Sequence, residues 1–220
     1  MSHRIVILLF NRAQMLDVAG PGDVFALVST FDSKARYEVL CVSAQGGPVM
    51  LSNGLSVMTR SIQQVRLTRN DTLMVAGAEK NGLLQALADE ALGTWVRKAA
   101  CVVARLASVC VGSFALAHWG LLDGRRATSH WSVVDLLQQR FPAVLVDRTA
   151  LYVQDGGIWT AGGVTTGIDM SLAMVEADCG RLVAGRVAGA LVMSARRIGN
   201  QSQYSVHLRA QTGRYAQLVD

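Results

Sequence analysis

A cysteine at position 110 follows the short apolar run Leu106-Ala107-Ser108-Val109. After it, Phe114, Ala115, Leu116, Trp119, Leu121 and Leu122 recur at helical spacing. A strand that turns sharply into a helix with a nucleophile at the corner is a nucleophile elbow. Gly112 fits that pattern, because a side chain there would crowd the turn. The helix start would aim unpaired N–H groups and a partial positive charge at the sulfur, favouring thiolate. The elbow helix is predicted to end at Gly124, and Thr128-Ser129-His130 then brings an imidazole near it. A cysteine at a strand end also serves as a small buried hydrophobe, and both readings stand at this level.

Two further residues complete the chemistry. Asp17 lies shortly after the first strand-like run and Gly77 ends a later one. If Asp17 touches Cys110, the pair is expected to share a proton, with apparent pKa values that belong to both. The backbone N–H groups of Gly77 and Val111 would frame an oxyanion-type pocket between them.

These residues need a scaffold. Ile5–Phe10 is a continuous apolar run, predicted as a central parallel strand buried on both faces. Residues 11–17 are predicted as a loop into a helix, with Gly20-Pro21-Gly22 opening a further turn and Pro21 in a first helical turn. Tyr37–Ser43 is a second strand, and short β pieces around Val49 and Val57 form a peripheral hairpin. Asp71–Ala76 is another strand. Residues 81–104 read as two helices or as one broken at Gly93-Thr94. Trp131–Arg140 is a helix that stops before Pro142. A hairpin turns at Asp155-Gly156-Gly157, and a long amphipathic helix runs from Gly167 to about Met193. This alternation predicts an α/β, flavodoxin-like fold: a doubly wound, mostly parallel sheet sandwiched by helices. Asp17, Gly77 and Cys110 all fall at the carboxyl ends of its strands, where such folds place their sites.

Composition sets bounds. The 220 residues are 51% hydrophobic and 17% charged, which excludes a disordered chain and permits a large core. No apolar run is long enough to span a bilayer, and no signal peptide precedes the first strand, so a cytoplasmic protein without membrane contact is expected. Cys41, Cys101, Cys110 and Cys179 are widely spaced with no metal-finger pattern, which fits free thiols in a reducing compartment and no metal. No cofactor is expected. The net charge of +5 is spread along the chain, as solvated surface charge usually is.

Residues 108–131, SVCVGSFALA…GLLDGRRATSHW, resemble the elbow of the ThiJ/PfpI superfamily, the class I glutamine-amidotransferase-like fold. Met15-Leu16-Asp17-Val18-Ala19-Gly20-Pro21 resembles its acidic loop, and residues 160–169, TAGGVTTGID, resemble the segment that opens its last long helix. The resemblance implies that Asp17 is the acidic partner of the thiol and that His130 is the histidine of the family's TxH position. It also adds Thr165 to the ligand-binding set of Asp17, Gly77, Cys110, Val111 and His130. The protease-like and chaperone-like branches carry His directly after the cysteine, and the isonitrile hydratases carry Thr; here that place is Val111.

The tail RRIGNQSQYSVHLRAQ looks like the linker of AraC-type transcriptional regulators, whose N-terminal half is such a domain. A frayed terminus is the alternative. Residues 1–193 are therefore expected to form the domain. Residues 194–220 would be a basic linker toward a helix-turn-helix domain that this sequence does not contain. Two functions follow from the resemblance. One is a small-molecule sensor, homodimeric, that meets operator DNA only through that further domain. The other is a cysteine-dependent hydratase or hydrolase with Cys110 as nucleophile, Asp17 as acid/base and His130 as a third catalytic group.

Overall fold

The layers of the molecule follow from its first strand. In the computed structural model, β1 (Ser2–Leu8) runs through the middle of the sheet. Ile5, Ile7 and Leu9 face one core, and Val6, Leu8 and Phe10 face the other. Successive side chains on a strand point to opposite faces, so an unbroken apolar run requires cover on both sides. The structure describes residues 2–193 and 197–199; the rest of the expected 194–220 linker lies outside the described residues.

After β1 come α1 (Met15–Phe31), β2 (Arg36–Ser43), and the hairpin β3 (Gly47–Met50) and β4 (Ser56–Ser61). Next are β5 (Asp71–Val75), α2 (Lys80–Ala88), α3 (Glu90–Ala100), β6 (Arg105–Val109) and α4 (Gly112–His118). The chain continues through β7 (Arg126–Ala127), α5 (Val134–Arg140), β8 (Leu145–Val146), β9 (Tyr152–Asp155), β10 (Ile158–Ala161) and α6 (Thr165–Ala190). The main sheet has eight strands in the order β3-β4-β2-β1-β5-β6-β10-β9. Pairings from β4 to β10 are parallel, and only the edge pairs β3–β4 and β9–β10 are antiparallel. Helices α1 and α6 pack on one face, and α2, α3, α4 and α5 on the other. This is the expected flavodoxin-like, mostly parallel sandwich. The carboxyl ends of β1, β5, β6 and β10 lie side by side.

Several boundaries differ from the sequence expectation. Gly20-Pro21-Gly22 opens no turn; Pro21 lies inside α1. Its missing N–H deprives the Asp17 carbonyl of an i+4 donor. The small residues serve packing instead: a Cβ on Gly20 would lie 2.8 Å from Ile168 Cγ1 of α6. The break in the 81–104 region falls at Asp89, whose carboxylate accepts from Leu92 N and starts α3. Gly93 is buried within α3, against the Trp119 indole. The elbow helix stops at His118 rather than Gly124. Helix α5 starts at Val134, three residues later than expected, and the long last helix is kinked at Gly180. Among the described residues no helix is long and apolar enough to cross a membrane.

Candidate functional site

Strand β6 delivers the chain to the elbow. The Cys110 N–H donates to the Ala161 carbonyl at 3.0 Å, continuing the β6–β10 pairing by one residue. The chain then reverses, with Cys110 at φ 57°, a region that non-glycine residues visit rarely. Such strain persists only where the surroundings over-determine it. Here the Ser113 and Ser129 hydroxyls both donate to the Cys110 carbonyl, at 3.2 and 3.1 Å. Gly112 follows because a Cβ there would run into the Val75 carbonyl of β5.

Asp17 is fully buried in the first turn of α1. Its Oδ2 accepts from the Gly77 N–H at 3.0 Å and its Oδ1 from the Val164 N–H at 2.8 Å. Burial nevertheless raises its pKa to about 6, against the opposing effect of these two amides. The same burial, with the Asp17 charge second, pushes the Cys110 thiol up to about 12; the Val111 N–H, which hydrogen-bonds the cysteine, is too weak to offset it. The expected thiolate is therefore corrected. The start of a short helix cannot outweigh desolvation beside a carboxylate, and the sulfur keeps its proton at neutral pH.

The expected oxyanion pocket is altered for a related reason. The Gly77 N–H is committed to Asp17, and the Val111 N–H to Cys110. His130 follows Ser129 in the chain; its Nδ1 is 2.8 Å from the Ser132 hydroxyl and its ring lies against Trp131, 5.6 Å between centroids. Burial lowers its pKa. It is the neighbouring Ser129 whose hydroxyl hydrogen-bonds Cys110. Thr165 begins α6, and its hydroxyl accepts from Arg197 Nη2 at 2.9 Å.

The sequence singles out residues 160–169 as the opening of the last helix and Thr165 as a ligand-binding residue, but assigns no role to Gly163 and Val164, which close the site. Gly163 has φ 108° and backs directly onto the elbow: a Cβ there would lie 2.6 Å from Cys110 Cβ and 2.9 Å from its sulfur. Only glycine meets both requirements. Val164 follows at φ 52°, unusual for a β-branched residue, with its N–H held by Asp17. The Thr166 hydroxyl ties the turn by accepting from Gly163 N at 2.7 Å. The adjacent glycines 162 and 163 between a strand and a helix were the available signal. Among the described residues no group of three or more His, Cys, Asp or Glu is arranged to hold a metal ion.

The site is thus a buried carboxylate and a half-buried thiol, its pKa pushed up by desolvation and that carboxylate, at the switch point of the sheet and closed by a strained loop. Comparison with known proteins places this arrangement in context. The family model described as DJ-1/PfpI family matches residues 3–177. An isonitrile hydratase of Pseudomonas putida is 35% identical over 177 residues, which cover 80% of this chain and 72% of that protein. The HTH-type transcriptional regulator CdhR of Pseudomonas aeruginosa is 38% identical over 163 residues, 74% of this chain but 46% of the regulator. The chain thus corresponds to about half of such a regulator. A crystal structure of a ThiJ/PfpI family protein from Pseudomonas syringae superposes with a TM-score of 0.78 at 25% identity, covering 99% of this chain and 87% of that one.

Proposed function

The chain belongs to the DJ-1/PfpI family, and from that premise we propose that it is the ligand-sensing domain of an AraC-type transcriptional regulator. In this reading residues 1–193 form the sensor, and a small-molecule effector binds around Cys110 through Asp17, Gly77, Val111, His130 and Thr165. The protein works in the cytoplasm as a homodimer, as paired half-sites on an operator demand. Residues 194–220 lead toward a separate helix-turn-helix domain that contacts the DNA.

The observation that carries this reading is a half-buried cysteine beside a buried carboxylate whose two oxygens are held by backbone amides. A cysteine nucleophile needs a thiolate or a base in contact to make one. Cys110 is pushed up to about 12, and the carboxylate beside it is occupied by two amides. Val111, with no hydroxyl to offer a substrate, points the same way. The similarity to the regulator adds support, because it covers about half of that protein's length.

The similarity to an isonitrile hydratase favours a second reading, a hydratase or hydrolase that uses Cys110, Asp17 and His130. Incubation with an aliphatic isonitrile, followed by chromatography for the formamide, separates the two. The sensor reading expects no product above buffer; catalytic turnover that Cys110→Ser abolishes would replace it with the enzyme.

A further inference from the structure

We infer that residues 197–199 form a strap that reports the state of the Cys110 site to the chain beyond it. The inference rests on the sensor reading of that site and adds the route by which occupancy leaves it. Two independent ties hold the strap. Arg197 grips Asp169 in the second turn of α6: Nε and Nη2 donate to Oδ2 at 3.1 and 2.5 Å, and the Arg197 N–H donates to Oδ1 at 3.3 Å. The Asp169 side chain is 0% exposed and that of Arg197 36%, so a carboxylate buried in the domain takes its counter-charge from outside the last helix. A buried charge without its partner is costly, so this pair is expected to be closed in the resting protein. Arg197 Nη2 also donates to the Thr165 hydroxyl. Two residues on, the Gly199 carbonyl accepts from Leu151 N at 2.7 Å.

Both ties reach the segment that backs the cysteine, Arg197 at Thr165 where α6 begins and Gly199 at one remove through Leu151. Leu151 accepts from the Gly162 N–H through its own carbonyl at 2.8 Å. Thr165 is the residue after Val164. The strap therefore holds the loop at either end, at 162 through Leu151 and at 165 through Arg197. Between those points lie Gly163, packed on the Cys110 sulfur, and Val164, bonded to Asp17. Gly163 leaves no space on its side of the sulfur for an added group. A ligand or substituent that enters there displaces Gly163 and loosens both anchors. The strained φ values at Cys110 and Val164 suit an element with two arrangements, since strain of this kind is kept only while its surroundings hold it.

The test uses the 220-residue chain and two readouts resolved peptide by peptide by mass spectrometry. The first is limited trypsin cleavage of the Arg197–Ile198 bond, with Arg181 and Arg186 in α6 as controls for global unfolding. The second is the equilibrium of Cys110 with 2-hydroxyethyl disulfide. The reagent's S–S bond breaks, a new one forms to Cys110, and the thiol proton leaves on 2-mercaptoethanol. Trypsin is kept low enough that opening and closing outpace cleavage, so that the rate follows the open population. Forming the mixed disulfide is then expected to speed cleavage at Arg197 by roughly fivefold or more, and Arg197→Ala to shift the mixed-disulfide equilibrium toward product by a similar factor, because coupling between two equilibria is reciprocal. Arg197→Lys, which keeps a charge beside Asp169, gives a smaller shift in the same direction and covers the case in which the alanine variant does not fold. If both readouts stay within about twofold of their reference values, or one moves without the other, the strap is refuted. Isonitrile turnover would defeat the sensor reading while leaving these two readouts unchanged.

Discussion

Asp17 and Cys110 meet across Gly77: a Cβ on that glycine would lie 2.7 Å from Asp17 Oδ2 and 2.8 Å from Cys110 Cβ. The carboxylate and the thiol therefore share one small space, and the absence of a side chain at 77 keeps it open. Gly77→Ala has no flexible neighbour to push aside, since Asp17 is bound at both oxygens. The substitution is expected to lower stability by about 1–3 kcal/mol, as overpacking does. Urea unfolding measures it.

Asp17 makes stability depend on pH in an unusual direction. Its folded value of about 6 lies above the ordinary 3.8, so between those values the folded protein holds a proton that the unfolded chain has released. Stability contributed by Asp17 is then full below about pH 4 and falls by about 3 kcal/mol as pH rises through 6. Asp17→Asn, which does not titrate, should flatten this part of the profile. Denaturant titrations at half-unit pH steps decide it; an equal slope in the variant would contradict the assignment.

Two hydroxyls hold the strained elbow at a single carbonyl. Ser129→Ala is expected to cost about 1 kcal/mol, the usual net worth of one intramolecular hydrogen bond. The double variant Ser113→Ala/Ser129→Ala should cost more than the two single losses together, because the elbow then loses both holds. A double-mutant cycle in urea checks this; strict additivity would show that the two serines do not act on a common strained element.

Much of this was legible in the residues. The apolar run at Ile5–Phe10 dictates two-sided cover, and the run ending at Val109 with Cys110 and Gly112 dictates the elbow. Asp17 and Gly77 fell at strand ends that the fold brings together. What escaped depends on tertiary packing. Gly20-Pro21-Gly22 reads as a turn because those residues break helices, yet here they let α1 approach α6. His130 drew attention as the titratable group, while the less reactive Ser129 makes the contact. The thiolate expectation failed because sequence reveals a helix start but not the burial that overrides it. Arg197 looked like part of a basic linker, since nothing in its neighbours announces a buried Asp169 waiting 28 positions earlier.

The central claim is that Cys110 is a protonated thiol in a sensing site and not a nucleophile poised for turnover. Its rate of alkylation by iodoacetamide, measured on the Cys110 peptide as a function of pH, tests this most directly. N-acetylcysteine, a free thiol, serves as the reference in the same samples. With Cys110 pushed up to about 12, the account predicts a rate that keeps climbing with pH past the point where the free thiol levels off. Asp17→Asn should bring that rise to lower pH by removing the neighbouring charge. A plateau for Cys110 near neutral pH, reached well before that of the free thiol, would reveal a resting thiolate and contradict the account.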